Sequence, residues 1–287
     1  MKKHEIHVME KEDPLYPEDF RRIADPPERF FYSGDLSLLQ TRRAGVVGSR
    51  KYTLYGKVTA KMIGRVLADG GVTVVSGLAY GIDAFSHEGA REANGKAIAV
   101  LGMGIDNFSP QKNAELYEWV CRTGLVISEY EPDFPGAKYS FPARNRLISA
   151  LSEKLILVEA GFQSGALITA RYAAEQGKDI YAVPGNINSQ FSTGTNLLIR
   201  DGCRPLIVID DVLKDMGITA KSVETAIQKL DEDEIPIVEA VMKFNGASVN
   251  EISHEVNRKA ESVSAILTVL EIKGVVYSYG GKFHLAN

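Results

Sequence analysis

Cysteine is scarce in this chain: Cys121 and Cys203 are its two, and they form no CxxC spacing. That pattern excludes a disulfide framework and argues against a structural zinc site. Long apolar runs are missing too, so no membrane-spanning helix is predicted. The opening residues, MKKHEIHVMEKEDPLYPEDF, carry acids where a signal peptide has its apolar stretch. A cytoplasmic protein with no membrane partner is the expectation. No G-x-x-x-x-G-K-[ST] occurs, which excludes a P-loop ATPase. No cluster of Asp and Glu offers a two-metal site, so neither a metal nor nuclease chemistry is expected.

Acids are absent from two stretches, and there the absence is informative. Leu36 to Ala68 holds no acid but seven bases: Arg42, Arg43, Arg50, Lys51, Lys57, Lys61 and Arg65. Phe134 to Ser152 again lacks acids and carries Lys138, Arg144 and Arg146. The overall charge of −4 hides this, because residues 210–234 alone contribute −5. Local charge, not the total, sets the field at a cleft, so an anionic partner is compatible with the acidic sum.

What the chain does have is a recurrent loop. Four times an apolar, strand-like run breaks into glycine and small residues, and a helical pattern follows. The four are GVVGSR (45–50), VVSGLAYGID (74–83), SEYEPDFPGAKYSFPARNR (128–146) and EAGFQSGALITA (159–170). Strand, glycine turn and helix together aim backbone N–H groups and a helix N-terminus at an anion. In open α/β folds such loops gather at the carboxyl edge of a parallel sheet.

The strands read as 44–48, 72–76, 97–102, 124–129, 154–159, 179–183 and 205–209. Runs such as IAVL and LILV are apolar on both faces, the pattern of a parallel sheet covered by helices on both sides. The fold class is therefore α/β: a doubly wound, mostly parallel, Rossmann-like sheet over residues 41–216. Residues 1–40 read as a proline-rich cap whose aromatics pack on that domain. Residues 217–233 read as an acidic linker. Residues 234–287 read as three helices and a Gly-Gly hairpin, a small winged-helix domain.

The motifs carry competing meanings. At Gly45–Arg50 the G-x-G-x-x-G spacing is absent, and the second strand ends without an acid, so NAD is disfavoured and no cofactor is expected. Arg50 either meets a phosphate or is solvated beside a tight turn. Arg144 and Arg146 follow Pro142 near a helix start, where the macrodipole disfavours bases unless an anion is present. With Tyr139 and Phe141 upstream they match a single-stranded nucleic-acid groove, where bases stack and phosphates pair. The alternative is that Phe141 is core and one arginine pairs with Glu129 or Glu131. Ser76-Gly77 and Ser164-Gly165 either cap helices or donate to phosphate. Gly102-Met-Gly104 is a lone G-x-G. His87 is expected to pair with Asp83 at i,i+4. Glu159 is read either as a base or as an acceptor that orients Arg50 or a backbone N–H. Residues 235–287 hold five acids and five bases, a poor competitor for duplex phosphate.

Taken in order, GVVGSRKYTLYG, VVSGLAYGIDAFSHEGA, IAVLGMGID, ISEYEP, FPARNRLISALS, VEAGFQSGALITARYAAEQG, AVPG and GTNLLIRDG resemble the DNA-processing protein A family (DprA, or Smf). The similarity runs over about 41–210, and the cap phrase YPEDFRRIADPPERFFYSGDL fits it as well. The resemblance implies a non-enzymatic protein that binds single-stranded DNA, loads the RecA recombinase onto it in natural transformation, and forms a homodimer. It implies a DNA pocket on Arg50, Ser76, Gly77, Lys138, Phe141, Arg144, Arg146, Ser164 and Gly165. Many relatives begin with a helical domain of the sterile-alpha-motif type. Only a short stretch precedes the cap phrase here, so that domain is expected to be missing. Two other readings stand beside this one. VEAGFQSGALITA loosely resembles the turn of Rossmann-like nucleotide phosphoribohydrolases, with Glu159 at the ribose, and the winged helix could make a duplex-binding regulator.

Overall fold

A computed structural model describes residues 5–218, 230–244, 246–272 and 275–285. The chain divides into two compact units, Met1–Thr219 and Ala220–Asn287. Residues 219–229 of the expected acidic linker lie outside the described residues.

The first unit is built on a nine-stranded sheet. Its strands are β1 (His7–Glu10), β2 (Arg29–Gly34), β3 (Arg43–Val47), β4 (Thr73–Ser76), β5 (Ala97–Leu101), β6 (Leu125–Ser128), β7 (Lys154–Leu157), β8 (Asp179–Ala182) and β9 (Arg204–Pro205). Their spatial order is β1-β2-β6-β5-β4-β3-β7-β8-β9. From β6 across to β9 every pairing is parallel, and β1 and β2 add an antiparallel edge. The helices are α1 (Glu18–Arg21), α2 (Leu54–Asp69), α3 (Ile82–Glu92), α4 (Ala114–Thr123), α5 (Ser140–Leu151), α6 (Ala166–Glu175), α7 (Thr193–Arg200) and α8 (Asp210–Asp215).

Both faces of the sheet are covered, and β5 shows how. Ile98 and Val100 join the core beneath α5 and α6, with Leu147, Leu151 and Ala170. Ala97, Ala99 and Leu101 join the core beneath α4, with Leu116, Tyr117 and Val120. Alternate side chains of one strand thus serve two cores, which is why consecutive residues are apolar.

The segment expected only as a cap contributes two strands of the sheet. β2 runs antiparallel to β6, with Phe31 opposite Ser128. The aromatics do pack it down: Phe20 and Phe30 meet edge to face at 5.5 Å, both fully buried.

From β3 the crossovers run one way, to β4, β5 and β6, and later the other way, to β7, β8 and β9. The reversal falls between the neighbours β3 and β7. In open α/β sheets the crevice above such a switch point is where ligands bind.

The second unit comprises α9 (Ile235–Phe244), α10 (Val249–Glu255), α11 (Ala260–Ile272) and a hairpin of β10 (Val276–Tyr279) with β11 (Lys282–Leu285). Three helices followed by a wing is the element order of a winged helix-turn-helix. Ile237, Val241, Ile252, Val263, Leu267 and Val276 form its own core. A capping box starts α10: the Ser248 N–H donates to Glu251 Oε2 at 2.8 Å, and the Glu251 N–H donates back to Ser248 Oγ at 3.3 Å. No helix among the described residues is long and apolar enough to cross a membrane.

Candidate nucleic-acid interface

Above the β3–β7 switch point lies a cleft of about 600 Å³. The turn after β3 supplies Gly48, Ser49, Arg50 and Lys51. The loop before α5 supplies Gly136, Ala137 and Lys138, and α5 itself Phe141, Arg144 and Asn145. The loop after β7 supplies Ser164 and Gly165. Three of the four glycine turns therefore converge, and the fourth, after β4, reaches the cleft through Ala79.

Asp83, in the first turn of α3, ties the loops together. Its carboxylate accepts from the Gly48 N–H at 3.3 Å and from the Gly77 N–H at 3.2 Å. Burial pushes this carboxyl above the usual range, while Arg144 and those two amides pull it down. The expected Asp83–His87 pair does not form, because the loop amides occupy the acid. Gly81 sits where the α3 loop crosses the Arg50 turn. Its φ is +95°, and a Cβ there would lie 2.5 Å from the Ser49 carbonyl oxygen. Only glycine accommodates both conditions.

Arg144 is buried, and its guanidinium donates from Nη1 to the Gly77 carbonyl at 3.0 Å and to the Val100 carbonyl. Nε donates to Asn145 Oδ1 at 3.2 Å, and the Asn145 amide donates to the Gly165 carbonyl at 3.3 Å. This chain of hydrogen bonds fixes the cleft floor from the β4 loop to the start of α6. Burial lowers Arg144 to about 10, Asp83 opposes that shift, and the like charge of Arg50 adds to it. Arg144 remains a cation at neutral pH.

Arg50 is exposed and lies over the Phe141 ring, 5.2 Å from its centroid. Phe141 is half-buried and packs against the core below, so it supports a flat cation at the cleft wall. Among the described residues no carboxylate comes within ion-pair distance of Arg50, Lys51 or Lys138. Three exposed cations thus face one cavity in which the single lining carboxylate, Asp83, is engaged by loop amides and lies beside the buried Arg144. Such an arrangement is unfavourable unless an anion enters.

Six of the nine residues expected at the pocket line the cleft: Arg50, Lys138, Phe141, Arg144, Ser164 and Gly165. Ser164 is also an acceptor for the Ala166 N–H, at 3.4 Å, as α6 begins. Three do not line it. Arg146 points away: its Nη1 and Nη2 grip Glu129 at 2.8 and 2.7 Å, and its Nε donates to the Asp25 carbonyl at 2.9 Å. In place of the phosphate contact expected of it, Arg146 makes a bidentate ion pair with the half-buried Glu129. Ser76 is fully buried, and its hydroxyl donates to the Val46 carbonyl at 2.6 Å, leaving no proton for a phosphate. Gly77 underlies Arg144, whose guanidinium would lie 2.5 Å from a Cβ at that position.

Glu159 is also buried. It accepts from the Thr53 N–H at 3.0 Å and the Thr53 hydroxyl at 2.5 Å, at the N-terminus of α2. Of the two readings, the structure places it on a backbone N–H. Lys51 and Asn145, which the motifs did not single out, line the cleft; each directly neighbours an arginine that they did. Among the described residues no three His, Cys, Asp or Glu side chains gather to hold a metal.

A mostly parallel, Rossmann-like sheet with a cleft at its switch point defines the class of doubly wound α/β proteins. Within that class the chain belongs to the family of DNA recombination-mediator protein A, whose model matches residues 7–217. Protein Smf of Escherichia coli is 37% identical over 211 residues, which are 73% of this chain and 56% of that protein. The chain thus spans little more than half the length of that relative. The X-ray structure of DNA processing protein A from Streptococcus pneumoniae superimposes with a TM-score of 0.70 at 39% identity, covering 73% of this chain and 74% of that one. DNA processing protein A from Helicobacter pylori, solved in a study of its single-stranded DNA binding mode, gives 0.68 at 31%, covering 74% and 96%.

Proposed function

We propose that this protein binds single-stranded DNA in the cleft at the β3–β7 switch point and acts there as a non-enzymatic recombination mediator. One observation carries the reading. Arg50, Lys51 and Lys138 converge without carboxylate partners on a cavity that also holds Arg144 and an aromatic wall. Phosphates pair with the cations and with the amides of the glycine turns, and bases stack against the wall formed by Arg50 and Phe141. The single-stranded DNA binding studied in the Helicobacter pylori relative supports the same assignment.

The family supports the further steps of the proposal: handing the strand to a RecA recombinase in natural transformation, from a cytoplasmic homodimer. The phosphoribohydrolase alternative loses its main support. Glu159, its candidate residue, is 1% exposed and engaged by Thr53.

The test is a titration of fluorescent oligothymidylate and its duplex counterpart at two salt concentrations, read by anisotropy. A salt-sensitive preference for the single strand is expected, because binding releases counterions. Equal affinity for the duplex would transfer the function to the winged-helix unit.

A further inference from the structure

Beside the cleft lies a second aromatic surface that the reading above leaves unused. Lys51 and Ala79 line the cleft, and the next residues in sequence are Tyr52 and Tyr80. The two rings meet with centroids 5.8 Å apart, and their hydroxyls are 3.3 Å apart. Phe85, from α3, stands edge-on beneath Tyr52 at 4.7 Å. Lys112 lies over the Tyr80 ring at 5.5 Å, and Lys57 over the Phe85 ring at 5.2 Å. Among the described residues no carboxylate is within ion-pair distance of either lysine. Glu88, the acid that acts on Tyr52, is held by Lys61 at 3.4 Å.

The loop that presents Tyr80 is held in an uncommon conformation. Leu78, fully buried, has φ of +51°, a region that L-residues other than Asn and Asp seldom enter. The buried Asn113 amide holds it there, donating to the Leu78 and Ala79 carbonyls at 3.1 and 3.3 Å. Strain of this kind persists where the surroundings over-determine it, as at ligand clamps. Tyr80 nevertheless remains 39% exposed.

We infer that Tyr52 and Tyr80, flanked by Lys57 and Lys112, form a stacking platform for the nucleotides that leave the cleft, extending the single-strand site beyond its pocket. The inference rests on the single-strand reading of the cleft. The exposed Tyr80 ring accepts any base once Lys112, which lies over it and has no carboxylate partner, moves to the following phosphate. The direction of the path follows from the chain: each tyrosine directly follows a residue of the cleft wall, Tyr52 after Lys51 and Tyr80 after Ala79.

The experiment compares oligothymidylates of about 5 and about 20 nucleotides, one near the lower end of single-module site sizes and one beyond the upper end. Tyr80→Ala, and the double variant with Tyr52→Ala, should weaken the longer oligonucleotide about tenfold, while the shorter one binds as before. Tyr80→Phe keeps the ring and should bind both as the parent does. Lys112→Ala, which disturbs no core, should reduce the salt slope for the longer strand by about 0.7, the value for one phosphate. Unchanged binding of the longer strand in the tyrosine variants, with Arg50→Ala still defective, would overturn the platform and leave the cleft assignment standing. An equal loss for both lengths would also overturn it, because the tyrosines would then belong to the pocket itself. If the parent protein binds neither length, the single-strand reading fails and the platform with it.

Discussion

The guanidinium of Arg50 rests over the ring of Phe141, 5.2 Å from its centroid, and this contact joins two of the four glycine loops across the cleft. Phe141 is packed from below and Arg50 is free of acids, so the pair presents a positioned cation on a rigid support. Replacing Arg50 by Ala removes one phosphate contact and the stacked plane together. Oligothymidylate affinity should fall by about tenfold or more, and the salt slope should shrink by about 0.7. Arg50→Lys should recover only part of this, because an ammonium neither stacks flat nor donates as a fork. Anisotropy titrations at several salt concentrations measure both quantities.

Arg146 should behave differently although it lies two residues from Arg144. Its side chain is 8% exposed and grips Glu129 by two hydrogen bonds. Removing Arg146 strands Glu129, whose side chain is 24% exposed and so partly solvated, at a cost of about 1–3 kcal/mol. Arg146→Ala should therefore lower the urea midpoint strongly while the folded fraction still binds single-stranded DNA. Adding Glu129→Gln should return part of the stability, since it removes the stranded charge. Loss of DNA affinity without loss of stability would return Arg146 to the binding surface.

That contrast shows which features were legible in the sequence. IAVL and LILV announce covered strands because only a sheet buried on both faces needs consecutive apolar residues. β1 gives no such signal: it is a short edge strand in which Met9 alone is buried. Helix geometry alone separates Arg144 from Arg146, since two residues are about 200° of rotation and cannot face one cleft. The fate of Ser76 was not readable, because its acceptor, Val46, belongs to a strand thirty residues earlier in the chain. Glu159 and Thr53 are likewise brought together only by the crossover that places β7 beside β3.

The winged-helix unit provides a control. Its acids outnumber its bases, ten to seven over residues 220–287, and Arg258 and Lys243 are paired with Asp233 and Glu255 at 2.8 and 2.7 Å. Lys259→Ala should leave single-strand affinity within about twofold, as expected when local cations are mostly neutralised. A loss equal to that of Arg50→Ala would assign the strand to the wrong unit and sink the cleft model.

Glu159→Gln separates scaffold from catalyst. The carboxylate takes two donors from Thr53 at the start of α2, where the helix dipole favours a negative charge. The amide can accept only through its one oxygen and turns an N–H₂ group toward a donor. A loss of about 1–3 kcal/mol in stability is expected. Neither the parent nor the variant should release free base from a nucleoside monophosphate. Base release by the parent that the variant abolishes would establish the hydrolase reading.

His87 gives the fold a predictable sensitivity to acid. The ring is fully buried in α3, and neither nitrogen reaches a hydrogen-bond partner, although the Val74 and Ile98 backbone groups nearby favour a proton weakly. Burial pulls the imidazole down to about 3, from 6.5 in the unfolded chain. Between those limits the unfolded state binds a proton that the folded state refuses. Stability contributed by the neutral ring is therefore complete above about pH 6.5 and is lost as pH falls toward 3, at up to about 1.4 kcal/mol per unit. His87→Phe fills a similar volume and cannot titrate, so its urea midpoint should decline less steeply over this window. Parallel declines in the two proteins would assign the acid sensitivity to groups other than His87.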